Sequence, residues 1–194
     1  MFCMDIIDTR QKLLAATERL IYADGIGATG MDLIVKTSGV ARKTIYRYFA
    51  TKEELVAEAL RQRDIRWMRW FIDGSRRADT PAGRLLRTFT MLEEWFNTDD
   101  FRGCAFINAA GEIGDARTPI RKVAKEHKVN LQVFLRELAV EYGAPDPDAL
   151  ALEFLILIDG AITLALVMDN KDAARAAQQM ARALLPQRLE SPLE

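Results

Sequence analysis

The chain has 194 residues, of which 49% are hydrophobic and 28% charged, and its formal net charge is -1 at pH 7. This composition is typical of a soluble globular protein, and the length allows one domain or two small ones. Two cysteines, Cys3 and Cys104, exclude a disulfide framework and favour a reduced, cytoplasmic compartment. The N-terminal segment lacks a basic region and a long apolar run, so no signal peptide is expected.

The first four predicted helices occupy the N-terminal part of the chain. Apolar residues recur at spacings of three and four, which favours helices over strands. Gly25 is predicted to end the first helix and Gly39 the second, because glycine permits the positive φ of a tight turn. Thr51 and Glu54 form a capping-box pattern at the start of the fourth helix. The predicted helices are residues 9–23, 31–38, 41–49 and 51–73.

Caps followed by proline mark three of the remaining helices. Thr80-Pro81, Thr118-Pro119 and Asp146-Pro147 each place a capping side chain before a proline at the first helical position. The apolar stretch 149–168 contains Glu153 and Asp159, which favours a buried helix over a membrane span. These helices are predicted at residues 81–96, 104–113, 119–143, 147–169 and 171–185, which makes an all-α fold of nine helices.

A cationic segment coincides with the second and third helices. Residues 33–52 contain five basic side chains and no acidic one. Two short helices joined by a glycine turn, the second of them basic, predict a helix-turn-helix whose second helix enters the DNA major groove. A merely solvated basic face is the alternative. At the leading end, Arg42 and Lys43 can bond guanine, and the Thr44 methyl can contact thymine. The side chains suited to phosphate oxygens are Tyr46, Arg47, Tyr48 and Lys52.

Residues 39–55 read GVARKTIYRYFATKEEL and resemble the signature of the TetR family of transcriptional regulators, GVSxGTLYxHFxxKExL. The similarity extends upstream through RQKLLAATERLIYADGIGATGMD and covers about 50 residues. The chain departs from the family pattern at Ala41, where a capping serine is usual, and at Lys43, where a small residue is usual. Thr29 and Gly30 replace a polar pair, so only Thr29 keeps a hydroxyl for a phosphate contact.

The resemblance implies a homodimer that binds a palindromic double-stranded DNA operator, with one reading helix per half-site. It also implies a C-terminal domain that binds a small molecule and releases the operator when it does so. The chain then divides into a helix-turn-helix DNA-binding domain, residues 1–55, and a ligand-binding and dimerisation domain, residues 56–194. The expected function is a ligand-responsive transcriptional repressor that is not an enzyme, has no cofactor and does not bind a membrane.

Aromatic side chains are concentrated in the predicted fourth to seventh helices. Their number favours a cavity for a small apolar or amphipathic effector, and plain core packing is the alternative. Asn108, Glu112 and His127 lie in apolar surroundings and could orient a ligand. His127 stands between two charged residues, which is also typical of a surface histidine. The predicted ligand-binding residues are Trp67, Trp70, Phe71, Phe89, Trp95, Phe106, Asn108, Glu112, His127 and Phe134.

The predicted eighth helix is apolar on nearly every side, and such a helix must be covered on every side. The ninth helix carries small residues that allow close helix packing. Two such helices from each subunit would form a four-helix bundle about a two-fold axis, and an internal core is the alternative. The predicted interface residues are Leu150, Phe154, Leu157, Ala161, Leu164, Ala173, Ala177, Met180, Ala181 and Leu184.

Two other function classes remain open from the sequence. Cys104 and His127 lie on consecutive predicted helices and could form a nucleophilic dyad of a small helical enzyme, although no third group is evident. The chain could also be an interaction module whose helix-turn-helix no longer binds DNA. One histidine and two distant cysteines do not give the usual spacing of metal ligands, so no metal site is predicted.

Overall fold

The computed structural model describes the backbone of residues 2–185 and the side chains of residues 9–185. The described chain contains nine α-helices and no strand, which confirms the predicted all-α fold. The helices are α1 (Phe2–Asp24), α2 (Met31–Ser38), α3 (Arg42–Tyr48), α4 (Lys52–Ser75), α5 (Pro81–Phe96), α6 (Ala105–Glu112), α7 (Pro119–Tyr142), α8 (Pro147–Val167) and α9 (Ala173–Leu184).

The helix ends follow the local capping signals. Thr80 Oγ1 accepts a hydrogen bond from the Gly83 amide at 3.1 Å, and Asp146 Oδ1 accepts one from the Ala149 amide at 3.0 Å. Each cap satisfies a backbone donor that the first turn of a helix leaves without an intrahelical partner. α1 differs most from its prediction, because it begins at Phe2 rather than at residue 9.

Contacts divide the chain into two compact units. The first unit takes in the chain up to Arg69 together with Arg102–Asn130, and the second takes in Trp70–Phe101 and the chain from Leu131 onward. α4 and α7 therefore contribute residues to both units. The predicted boundary after residue 55 separates the DNA-binding part from the rest of the chain by function and not by contacts, and it remains a prediction.

The first unit is built on a core shared by α1, α2, α3 and the start of α4. The buried members of this core are Leu13, Leu14, Ile34, Val40, Ile45, Phe49, Leu55 and Ala59. α6 and the first half of α7 belong to the same unit. The Tyr22 hydroxyl of α1 donates to the Gly103 carbonyl at 3.0 Å and accepts from the Arg102 amide at 2.9 Å, which ties α1 to the segment before α6.

The second unit centres on α5, α8 and α9, which pack against one another. The rings of Phe89 and Phe154 lie 5.6 Å apart between α5 and α8. Gln178 Nε2 of α9 donates to the Leu86 carbonyl of α5 at 2.9 Å, and the Arg175 guanidinium pairs with Glu93. These contacts determine which side of α9 faces the core of the second unit.

α8 is long and apolar enough to cross a membrane by length and composition, with 21 residues and a mean hydropathy of 2.3. One side of it lies in the core of the second unit, and its buried side chains are Leu150, Ala151, Phe154, Ile158, Ala161, Ile162 and Ala165. The opposite side is exposed and also apolar. The prediction of a buried helix is therefore correct for one side of α8, and the other side is exposed in the single chain.

Candidate functional site

The helix-turn-helix is formed by α2, the turn at Gly39 and α3. Gly39 has φ of 69°, and its amide donates to the Val35 carbonyl at 3.0 Å. Ile45 and Phe49 are buried in the core of the first unit and hold one side of α3 against it. The opposite side of α3 faces solvent, where a DNA groove could receive it.

The leading end of α3 presents two cations. Arg42 and Lys43 are both exposed, and the Arg42 guanidinium pairs with Asp32 of α2. Thr44 is half-buried, and its amide bonds to the Ala41 carbonyl. Ala41 provides no side-chain cap, as expected from its missing hydroxyl. Lys43 therefore stands at the predicted base-reading position, and among the described side chains no carboxylate pairs with it as Asp32 pairs with Arg42.

The remaining predicted DNA contacts on α3 differ in exposure. Tyr46 and Arg47 are exposed, whereas Tyr48 is half-buried and packs against the core. The hydroxyl of Tyr46 and the guanidinium of Arg47 are thus presented to solvent along the outer side of the helix. These two groups are the better placed to bond phosphate oxygens, which fix the register of a protein on DNA.

Thr29 does not lie at the surface. Its side chain is fully buried, and its hydroxyl donates to the Gly25 carbonyl at 2.7 Å. A phosphate oxygen cannot reach a buried hydroxyl that is already bonded to the backbone. The predicted DNA contact of Thr29 is therefore wrong in this conformation, and the side chain instead closes the turn between α1 and α2.

Replacing Thr29 by Val is expected to reduce the free energy of unfolding by about 1 kcal/mol, because it removes the hydroxyl and leaves the Gly25 carbonyl unbonded. The slope of DNA affinity against salt concentration should not change. Thr98→Val is the matched control, since Thr98 makes a similar bond to the Trp95 carbonyl in an exposed position. Denaturant unfolding and salt titrations measure both effects. A slope lowered by about 0.9 for each bound subunit would instead indicate a lost phosphate contact.

Lys52 and Glu112 hold the turn between α1 and α2 from two sides. Lys52 Nζ of α4 donates to the Ile26 carbonyl at 2.7 Å. The Glu112 carboxylate, at the last residue of α6, accepts the Ile26 amide at 3.0 Å and the Gly27 amide at 2.8 Å. Lys52 is half-buried and tethered, so its ammonium is less available to phosphate than the sequence suggests.

Gly25 has φ of 88°, and a Cβ at this position would lie 3.0 Å from the Glu112 carboxylate. The turn therefore needs glycine both for its backbone conformation and for the close approach of Glu112. Sequence reasoning placed Glu112 among the ligand-binding residues. The 86-residue separation from Ile26 gave no local signal that its carboxylate would cap a turn of the DNA-binding part.

The predicted ligand-binding residues fall in both units. Trp67, Phe106, Asn108, Glu112 and His127 belong to the first, and Trp70, Phe71, Phe89, Trp95 and Phe134 belong to the second. All four phenylalanines among them are buried. Phe71 and Phe134 pack edge to face with centroids 6.1 Å apart, as ordinary core aromatics do.

The first unit contains a small cavity lined by side chains of α1, α4 and α6. Its volume of about 10 Å³ leaves room for one water molecule at most. Asn108 lines it while donating to the Arg102 carbonyl at 2.9 Å, and Arg63 stacks over the Tyr22 ring at 3.7 Å while pairing with Glu18. This cavity is too small for an effector of drug-like size.

His127 lies at the centre of a polar chain inside the first unit. It is only 2% exposed, so the interpretation of a surface histidine is wrong. Its Nδ1 lies 2.6 Å from Asp64 Oδ1, and its imidazole also bonds to the thiol of Cys104. Asn130 Nδ2 donates to the other oxygen of Asp64 at 2.9 Å. Asp64 is the third group that the sequence did not reveal, 63 residues before the histidine.

Aromatic rings enclose the imidazole. Phe106 stacks on it with centroids 3.8 Å apart, and Trp67 meets it edge to face at 5.3 Å. Burial favours the neutral forms of both Cys104 and His127, but their mutual hydrogen bond opposes burial and lowers the pKa of the thiol. The pKa of His127 is raised in spite of its burial, because Asp64 and Cys104 both stabilise the imidazolium.

The predicted dimer interface needs a correction. Leu150, Phe154, Ala161, Ala173, Ala177 and Ala181 are buried within the protomer and cannot contact a second copy. Leu157 and Leu184 are half-buried, while Leu164 and Met180 are exposed. Six of the ten residues predicted for the interface therefore pack inside the second unit. The sequence did not separate the two sides of α8 because both are apolar.

Comparisons with known proteins agree with this architecture. Residues 13–59 match the family of bacterial regulatory proteins of the tetR family, and residues 81–181 match the tetracyclin repressor-like C-terminal domain. The uncharacterized HTH-type transcriptional regulator YxaF of Bacillus subtilis (strain 168) is 32% identical over 171 residues, which cover 85% of this chain and 87% of that protein.

Two further similarities span most of the chain. The HTH-type transcriptional regulator YjdC of Escherichia coli (strain K12) is 23% identical over 180 residues, 91% of this chain and 93% of that protein. The crystal structure of SCO4454, a TetR-family transcriptional regulator from Streptomyces coelicolor, matches with a TM-score of 0.84 and 26% identity, over 91% of this chain and 94% of that one. The chain therefore belongs to the TetR family and is a transcriptional regulator with a helix-turn-helix DNA-binding domain.

Proposed function

We propose that the protein is a homodimeric repressor that binds a palindromic operator through α3 and is released by a small apolar or amphipathic effector. The observation that carries this proposal is the exposed outer side of α3, where Lys43 and Arg47 face solvent and Ile45 anchors the opposite side. An exposed cationic helix on a nearly neutral protein attracts DNA locally. The site of action is the cytoplasm, where the operator is.

Dimerisation is supported by an exposed apolar stripe on α8. Spacings of four, four, three and four residues place five positions within about 80° of one another around the helix axis. These positions are Leu152, Ile156, Gly160, Thr163 and Val167, and all five are exposed. Ile156 is 62% exposed and Val167 is 74% exposed. A stripe of this kind in water indicates an interaction surface.

The exposed side of α9 continues the same pattern with small and flexible side chains. Ala176, Met180 and Ala183 recur at spacings of four and three, and all three are exposed. A Cβ added to Gly160 of α8 would meet no atom within 4 Å, so a second helix could approach closely there. We place these two stripes, rather than the buried ones, in a four-helix bundle with a second copy.

A two-fold dimer presents two copies of α3 in opposite orientations, which is why the operator should be an inverted repeat. Gel shifts with the DNA upstream of the protein's own gene test this point. A palindromic fragment should be retained by the full-length protein, whereas a fragment carrying one half-site should bind far more weakly. Equal affinities for the two fragments would contradict binding as a dimer to a palindrome.

Effector release is supported by the link between α6 and the turn at Ile26 and Gly27. Glu112 ends α6, and its carboxylate holds both turn amides. A molecule that displaced α6 would withdraw this acceptor from the DNA-binding part of the same unit. Ile21 and Leu60 line the space beside α6 together with polar groups such as Asn108, which is why we propose an apolar or amphipathic effector. Native mass spectrometry of purified protein would reveal a retained molecule.

Replacing Glu112 by Gln is expected to weaken operator binding by about fivefold, because one of the two turn amides loses its carboxylate acceptor. The salt slope should stay the same, since no phosphate contact is lost. Glu94→Gln is the control for the change of charge, because Glu94 is exposed on α5 of the second unit. Fluorescence anisotropy on an operator fragment measures both variants. An equal loss with Glu94→Gln would show an effect of net charge alone.

A further inference from the structure

The hydrogen-bonded chain of Cys104, His127 and Asp64 lies outside the helix-turn-helix and outside the two stripes that we place in the dimer interface. Cys104 and His127 are buried and Asp64 is half-buried, and placing ionisable groups in such surroundings costs stability. They are not placed to hold a metal ion, and no such cluster occurs among the described residues. They form a linear relay, in which His127 bonds to both Cys104 and Asp64, and Asn130 bonds to the other oxygen of Asp64.

We propose that Cys104 is a covalent effector site, where the thiol adds to soft electrophiles of the α,β-unsaturated carbonyl class and the adduct releases DNA. This inference rests on the proposed function as a DNA-binding repressor, and it adds a chemical class of effector and a site. Three observations carry it: the bond between thiol and imidazole, the bond between imidazole and Asp64, and the position of Cys104 directly before α6.

The relay supplies the nucleophile. His127 donates a hydrogen bond from Nδ1–H to the Asp64 carboxylate. The other ring nitrogen, Nε2, is then free of a proton and can take the proton of the thiol. Asn130 holds the second oxygen of Asp64 and so fixes the orientation of the carboxylate. The pKa of Cys104 is lowered despite burial, chiefly by His127, and Lys128 adds a favourable charge. The thiolate is the reactive form of cysteine.

The reaction balances without an oxidant or a reductant. The Cys104 sulfur forms a bond to the β-carbon of the electrophile, and the carbon–carbon π bond breaks to give an enolate. The imidazolium of His127 then transfers the former thiol proton to the α-carbon. His127 returns to its neutral form, still bonded to Asp64, and the product is a thioether.

The position of the sulfur makes the adduct incompatible with the observed packing. Cys104 is 5% exposed, and the neighbouring Phe106 ring lies directly against His127. α6 has only eight residues, so local opening of this short helix gives a small reagent access. Once the added atoms occupy the site, α6 cannot close fully, and the grip of Glu112 on the turn at Ile26 and Gly27 is lost.

The first arm of the test measures thiol chemistry without DNA. In a Cys3→Ser background Cys104 is the single thiol, and intact mass spectrometry follows its reaction with N-ethylmaleimide between pH 5 and 9. The half-maximal rate is expected at least about one pH unit below the value of about 8.5 for free cysteine. Asp64→Asn should move this midpoint up by about one unit and slow the reaction at pH 7 about tenfold. An ordinary midpoint in both proteins, or a thiol that reacts only after denaturation, would overturn the proposal.

The second arm measures DNA release. N-ethylmaleimide should weaken operator binding of the Cys3→Ser protein by at least about tenfold, and Cys104→Ser on the same background should bind equally well with and without reagent. Fully modified Cys104 with unchanged operator affinity would overturn the link to release. If the unmodified protein binds no DNA, the proposed function fails, while the reaction rates still decide whether the relay activates the thiol.

Discussion

Replacing Ile156 by Asp is expected to convert the proposed dimer into a monomer and to reduce operator affinity by at least about 100-fold. Ile156 lies in the middle of the exposed stripe on α8. A two-fold interface would bury the new carboxylate twice, and burying an unpaired charge costs several kcal/mol. Analytical ultracentrifugation at micromolar concentration measures the mass, and fluorescence anisotropy measures the affinity.

Val140→Asp is the matched control for this effect. Val140 of α7 is 52% exposed, close to the 62% of Ile156, so the two substitutions place the same charge at similarly exposed apolar positions. The Val140 variant should remain dimeric and bind the operator normally. If both variants stay dimeric, the stripe on α8 is not the interface. If both become monomeric, the charge acts through general destabilisation rather than through α8.

Removing Lys43 is expected to lower discrimination between operator and unrelated DNA by about tenfold for each half-site, and so by about 100-fold for the proposed dimer, because each subunit loses one bidentate contact to a guanine. Lys43 is exposed at the leading end of α3, where side chains reach base edges. Arg47 lies further along the exposed side. Arg47→Ala should weaken binding to all DNA and reduce the salt slope by about 1.8, because each subunit of the proposed dimer loses one phosphate contact of about 0.9.

Lys125→Ala is the control for a lost positive charge, because Lys125 is exposed on α7 outside the helix-turn-helix. Lys125→Ala should reduce the discrimination between DNA sequences much less than Lys43→Ala does. It should also change the salt slope much less than Arg47→Ala does. Anisotropy titrations on operator and scrambled duplexes, at several salt concentrations, separate the effects. A Lys43 variant that loses affinity equally for both duplexes would show that this side chain contacts phosphate and does not read bases.

Features controlled by neighbouring residues were predictable from the sequence. The bounds of α2 agree with the prediction residue for residue, because Gly39 ends the helix through its own backbone conformation. The caps at Thr80 and Asp146 also follow from side chains within three residues of the amides that they accept. Local signals of this kind do not depend on the rest of the fold.

Features controlled by distant residues were not predictable in this way. The burial of Thr29 depends on the packing of the turn between α1 and α2, and the role of Glu112 depends on an approach across 86 residues. On α8, both sides are apolar, so hydrophobic periodicity could not show which side packs inside. Asp64 carried no signal because acidic residues on an amphipathic helix are usually solvated.

Selection of bound sequences from a random duplex library by the full-length protein tests most directly whether α3 reads DNA in a symmetric pair. The predicted result is enrichment of an inverted repeat, with half-sites centred one helical turn or a multiple of it apart. The same selection with Lys43→Ala should relax the preference at one position in each half-site. Enrichment of no sequence, or of a single element without two-fold symmetry, would contradict a dimeric repressor that reads its operator through α3.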